Sequence, residues 1–209
     1  MERGIYEDRP QEGTKASLWP FHKAPAIVDV PEMNFLIVDG KGDPNTAQEY
    51  KDALEALYAV SYALKFMVKR RKEVDYVVMP LEGLWWTDDM TEFTVENKDI
   101  WKWTAMIMQP EQVTEDLVQE ALQQVKRKKN PPALPRIRFE SLREGLSAQI
   151  MHIGPFSEEG PTIERLHQFI KENASGRIGK HHEIYLSDPR RVRPEKMKTV
   201  IRQPIEQES

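Results

Sequence analysis

The 209-residue chain contains no cysteine. Disulfide staples, thiol nucleophiles and thiolate metal sites are therefore excluded, and the composition is compatible with a reducing cytoplasm, the location expected here. No run of 18 apolar residues occurs, and Glu2, Glu7, Asp8 and Pro10 stand where a secretion signal needs an apolar core. No membrane partner is expected. A dominant charge is lacking too: 30 Lys and Arg face 34 Asp and Glu, a net charge of -4, so nothing pulls the chain as a whole toward nucleic acid. Phosphate-cradling glycine loops, a nucleophile elbow and a zinc-protease helix are missing. His181-His182 has no third ligand at a useful spacing, so no metal or other cofactor is expected.

What is present is a patterned core. After about 30 polar, irregular residues, Met33 to Gly40 reads as a strand closed by a glycine turn, and Asp43-Pro44 starts a helix. From Thr46 to about Lys69, Tyr50, Leu54, Leu57, Ser61, Leu64 and Val68 recur at helical spacing beside a second stripe from Ala53 to Met67. So wide an apolar face predicts a helix lying across a sheet, and Lys69-Arg70-Arg71-Lys72 suits its C-terminal dipole. Strands follow at Val74 to Trp86, broken near Pro80 and Gly83, and at Trp101 to Gln109, with a second helix from Glu111 to Lys128.

The pattern then starts again. Leu146 to Ile153 is a strand closed by Gly154-Pro155, Pro161 opens a helix, and His182 to Leu186 and Met197 to Gln203 are strands. Gln109-Pro110 and Gln203-Pro204 close the two halves alike. The expected fold class is α+β: duplicated strand–helix–strand–strand modules with antiparallel sheets, helices on one face and a ligand cleft at the pseudo-two-fold seam on the other. Residues 1–30 form the lead-in, 31–130 the first module with its inserted helix, and 131–209 the second, fused in one globular domain.

Gly154-Pro155-Phe156, a helix, His182-Glu183-Ile184-Tyr185-Leu186-Ser187-Asp188, and a closing strand into Gln203-Pro204-Ile205 stand in this order. The arrangement resembles the GyrI-like small-molecule-binding superfamily, in its stand-alone bacterial branch. That resemblance implies an aromatic-lined hydrophobic groove with a buried acid, and a ligand that is bulky and apolar or cationic. For some stand-alone members it implies a hydrolase that opens the cyclopropane ring of DNA-alkylating natural products. Regulator members carry a DNA-binding segment, for which there is no room ahead of Phe35, so no nucleic-acid partner is expected.

Glu183 is the first candidate for chemistry. Residues two apart on a strand share a face, so Glu183 and Tyr185 point one way and His182 and Ile184 the other. A carboxylate among rings attracts a delocalised cation; with a raised pKa it serves as a general acid or base. A surface strand glutamate is the competing reading. Glu82, before Gly83, is a second acid for an enzyme, with Tyr185 or Tyr58 as proton donor. Trp85, Trp86, Trp101, Trp103, Tyr58, Tyr62 and Phe156 are candidate ring walls, and Met79, Met106 and Met108 adaptable ones, with ordinary core packing as the alternative for each. The basic run Lys126-Arg127-Lys128-Lys129, continued by Arg136 and Arg138, reads as a solvated helix end.

Overall fold

The structure is a computed structural model that describes residues 24–90 and 93–206. Most of the expected lead-in lies outside the described residues. The described residues are mixed α+β, with three α-helices and antiparallel strand pairing. It divides into two compact units, one spanning Glu32–Arg143 and the other Met1–Pro31 with Glu144–Ser209.

In the first unit, strand β1 (Ala26–Lys41) enters from the other unit and leads to helix α1 (Gln48–Lys72), β2 (Leu81–Trp86), β3 (Lys102–Gln109) and α2 (Glu115–Lys128). The helix begins later than Asp43-Pro44 suggested. Asp43 instead holds a turn, its side chain accepting from the Asn45 amide at 2.9 Å and its carbonyl from the Ala47 amide at 2.8 Å. The apolar part of the 74–86 run is shorter as a strand than expected, because Pro80 has no N–H to give a ladder. Strand β3 lies between β1 and β2, with Gly40 and Trp85 both paired to Trp103.

Period-two alternation divides this sheet. Leu36, Val38, Trp85, Trp103, Ala105 and Ile107 share the face on which α1 packs, as the contacts of Tyr50 with Trp85 and Trp103 show. Phe35, Ile37, Leu84, Met106 and Met108 make a second apolar cluster on the opposite face. Both faces are buried, so β3 is almost wholly inaccessible. Arg136 and Arg138, part of the basic stretch, are engaged within the unit: Arg136 pairs with Glu49 at 2.5 Å, and Arg138 with Asp39 and Glu140 at 2.9 and 2.6 Å.

The second unit continues β4 (Arg138–Ile153) from Glu144 onward, then α3 (Gly160–Asn173), a two-residue β5 (Gly176–Arg177), β6 (His181–Tyr185) and β7 (Lys198–Glu206). Strand β7 is the spine, pairing antiparallel with β4, β6 and β5. Helix α3 covers one face through Leu166 and Ile170, which pack on Ala148, Ile150, Ile201 and Ile205. The opposite face carries Met151, Ile184 and Val200. Among the described residues, no helix is long and apolar enough to cross a membrane.

Gly40 tests the packing of the first unit. Trp103 is 0% exposed, and burying a side chain of this class is worth about 1.5–3 kcal/mol. A Cβ at residue 40 would sit 2.1 Å from Trp103 Cζ2, well inside van der Waals contact. Gly40→Ala is expected to cost about 1–3 kcal/mol, read as a lower urea midpoint at unchanged slope. An unaltered midpoint would mean that the ring moves aside freely.

Candidate functional site

Strand β6 carries five residues, His181-His182-Glu183-Ile184-Tyr185, and its alternation places His181, Glu183 and Tyr185 on one face. Glu183 pairs in register with Ile201, which packs beneath Leu166 and Ile170 of α3. The site face of this unit is therefore the helix-covered face. The expectation that helices would occupy one face and the acid the other does not hold here, because a directly paired residue must share the side of its partner.

The Glu183 carboxylate is fixed at both ends. Its Oε1 accepts from His181 Nε2 at 3.0 Å and its Oε2 accepts from the Tyr185 hydroxyl at 2.8 Å. A carboxylate only accepts, so His181 must carry its hydrogen on Nε2. The Tyr185 ring meets Phe156 edge to face, 5.5 Å between centroids at 80°, and Phe156 is positioned by the Gly154-Pro155 turn. The Glu183 side chain is 16% exposed. Burial pushes its carboxyl up, but the hydrogen bond and charge of His181, the Tyr185 hydroxyl and the charge of His182 together hold it below the usual carboxylate range. The direction is opposite to the raised value under which a role as general acid or base was considered, because the donors outweigh burial.

Behind β6 lies a second buried carboxylate that sequence reasoning missed. Glu144 accepts from His182 Nδ1 at 2.9 Å and from Arg202 at 3.0 Å, and Arg202 also donates to Gln149 Oε1 through two nitrogens at 3.0 and 2.9 Å. The side chains of Glu144 and Arg202 are only 7% and 2% exposed. A charged residue inside the apolar run Val200-Ile201-Arg202 was the available signal, because an arginine there must find a buried partner. Burial raises the Glu144 carboxyl, yet His182 and then Arg202 bring it down to about 2.

On α3, His167 meets Arg177 of β5 at 3.0 Å and lines an open groove of about 440 Å³ with Glu164, Lys171 and Ser175. Burial, then the charges of Arg177 and His181, lower its pKa to about 4. His152 bridges the Thr162 hydroxyl and the Pro155 carbonyl at 3.0 and 3.2 Å, which ties the turn to the start of α3.

The remaining candidates lie in the first unit, on different surfaces. Trp85 and Trp103 pack around Tyr50, at 5.7 and 5.0 Å, and Trp101 extends that chain of rings from Trp85 at 5.9 Å to Phe93 at 4.5 Å. Tyr50 and Phe93 were not singled out from sequence. Trp86 and Met79 join Met106 and Met108 on the opposite face of the sheet, and buried Glu82, paired with Met106, faces that way too. Tyr58 and Tyr62 stack on α1 at 6.5 Å, and Tyr62 is 49% exposed. Among the described residues, no group of three or more His, Asp or Glu side chains is arranged to hold a metal ion.

Glu144→Gln removes one partner of a buried charge pair and is expected to cost about 3–5 kcal/mol near neutral pH. A carboxyl lowered from 4.5 to about 2 stabilises the fold fully above its unfolded value and loses that contribution as pH falls toward 2. The stability gap between wild type and variant should therefore shrink from pH 4.5 downward. Urea unfolding at stepped pH measures it, and a gap that stays constant contradicts the assignment.

Comparison with known proteins agrees with this architecture. The family model described as GyrI-like small molecule binding domain matches residues 23–206. Among curated proteins, none matches the chain. A solved structure of an uncharacterized conserved protein from Listeria innocua is 43% identical, covering 92% of this chain and 97% of that one, with a TM-score of 0.83. A hydrolase from Listeria innocua is 42% identical, covering 92% and 96%, with a TM-score of 0.81. The EcmrR C-terminal domain shares the fold at 12% identity, covering 88% and 98%, with a TM-score of 0.56. With nearly its whole length matched by the family model and two relatives above two-fifths identity, the chain belongs to the GyrI-like small-molecule-binding domain family.

Proposed function

We propose that the protein binds a bulky apolar small molecule and hydrolyses it, with Glu183 drawing the proton from the attacking water. The observation that carries this reading is the carboxylate held ionised between His181 and Tyr185. An ionised carboxylate can accept a proton at neutral pH, which suits a base rather than an acid. Each of its oxygens keeps a further lone-pair direction after one hydrogen bond, enough to take a water molecule. The description of a 42%-identical relative as a hydrolase supports the same class of chemistry.

A strained spirocyclopropyl electrophile, the class that the family resemblance implies, fits such a base. Water gives its proton to Glu183 while its oxygen bonds to a ring carbon. The cyclopropane C–C bond breaks, and its electron pair moves to the conjugated electron-withdrawing group. Glu183 then returns that proton there, either directly or by reprotonating a Tyr185 hydroxyl that has donated its own, so water has been added across the broken bond. Capture without turnover is the second reading, favoured by the exposed Phe156 ring against Tyr185 beside a carboxylate, a setting that suits a delocalised cation. The exposed Tyr62, stacked on Tyr58, offers aromatic surface of the same character in the first unit. The matching strand order, with the closing strand between the other two in each unit, supports descent of the units from one duplicated module.

Glu183→Gln keeps the side-chain shape and removes the base. Hydrolysis of a spirocyclopropyl substrate should fall by about 10²- to 10⁴-fold while calorimetric binding of the neutral substrate is retained. Equal rates in variant and wild type dismiss Glu183 as the base. Absent turnover, together with wild-type binding of a lipophilic aromatic cation that Glu183→Gln weakens, selects capture. In the hydrolase, the rate should stay level from neutral pH to about 4.5 and decline only below, because the carboxyl lies under that value; a decline that begins near neutrality contradicts the ionised base.

A further inference from the structure

Resting on the reading of Glu183 as the working base, the geometry assigns His181 as its positioning residue, the group that holds the carboxylate ionised and fixed in rotation. The two ends of the carboxylate have different donors. Tyr185 supplies a neutral hydroxyl to Oε2, and His181 supplies a ring N–H to Oε1. Anchored at both oxygens, the carboxylate cannot turn about its terminal bond without breaking one contact. His181 itself is held by the strand: its side chain is 5% exposed, and its place two residues before Glu183 directs it to the same side.

The charged surroundings leave the task to His181. His182 acts on Glu183 from the far face of β6, where its Nδ1 is engaged by Glu144, and Arg202 is engaged there by Glu144 and Gln149. On the near side, His167 of α3 is bonded to Arg177 of β5, and its lowered basicity leaves it uncharged near neutral pH. Among these groups, His181 and Tyr185 are the ones in hydrogen-bond contact with the carboxylate. Burial by itself would favour the protonated acid. Without His181, Glu183 would take up a proton closer to neutrality and would lose its orientation.

Infrared difference spectroscopy on the ligand-free protein tests this. The Glu183 carboxyl band, isolated by subtraction of Glu183→Gln, is followed against pH in wild type, His181→Ala, His181→Gln and Tyr185→Phe. His181→Ala should raise the proton affinity of Glu183 at least about tenfold, one pH unit or more. His181→Gln, which keeps an N–H donor, should recover part of that shift, and Tyr185→Phe should move the midpoint less. A midpoint unchanged in a folded His181→Ala overturns the assignment. Should that variant not fold, the nitrogen-15 spectrum of wild-type His181 replaces it: a protonated Nε2 whose shift changes in Glu183→Gln supports the contact, and an unaffected ring overturns it. Because no ligand is present, the outcome is independent of turnover: a missing hydrolytic activity sinks the proposed reaction and leaves the His181 result standing.

Discussion

Two carboxylates of the second unit, Glu144 and Glu183, are taken out of bulk water on opposite sides of β6, and each is tolerable there because it has its own donors. Desolvation of an isolated carboxylate is costly enough to drive it to the neutral form. The unit supplies His182 and Arg202 on one side and His181 and Tyr185 on the other. Three of these four donors belong to β6 itself, so a five-residue strand serves both sites. Strand β7 supplies the fourth and fixes the register, with His182 opposite Arg202 and Glu183 opposite Ile201. A one-residue slip would exchange the two faces and bury Glu183 where Glu144 already stands.

The two networks differ in kind. Around Glu144, the His182 ring and the Arg202 guanidinium both contact the carboxylate, Gln149 accepts from Arg202, and the side chains of Glu144, His182 and Arg202 are almost wholly inaccessible. Such a cluster ties β4, β6 and β7 together and specifies their register. Around Glu183, one donor is a phenol packed on an exposed aromatic ring, and the carboxylate keeps some access to solvent. The proposed chemistry draws on the more accessible member of the pair, while the buried one ties the strands together. The first unit is organised by packing instead, with Trp103 seated on Gly40 and wedged against Tyr50. That arrangement accounts for much of the tryptophan clustering without a ligand.

Much was legible because it is periodic. The double stripe on α1 identified a helix that buries a wide face, and Tyr50, Leu57, Leu64 and Val68 are buried as that spacing requires. Alternation alone placed Glu183 with Tyr185 and set His182 apart from them. The order of Gly154-Pro155-Phe156, the helix and the Glu183-containing strand identified the family. Extents were read less well: β1 and β4 each run 16 residues, far beyond their apolar centres, since their polar ends gain ladder hydrogen bonds that hydropathy does not register.

The sequence by itself determined the helices, the alternation of the strands and the family, because these depend on neighbours a few positions apart. Tertiary structure decided which faces meet. Arg202 finds Glu144 across 58 positions, Trp103 finds Tyr50, and α3 settles over the side of the sheet that bears Glu183. It also set the direction of the Glu183 shift, because the donors that outweigh burial are in place only once the strand is formed, paired and covered.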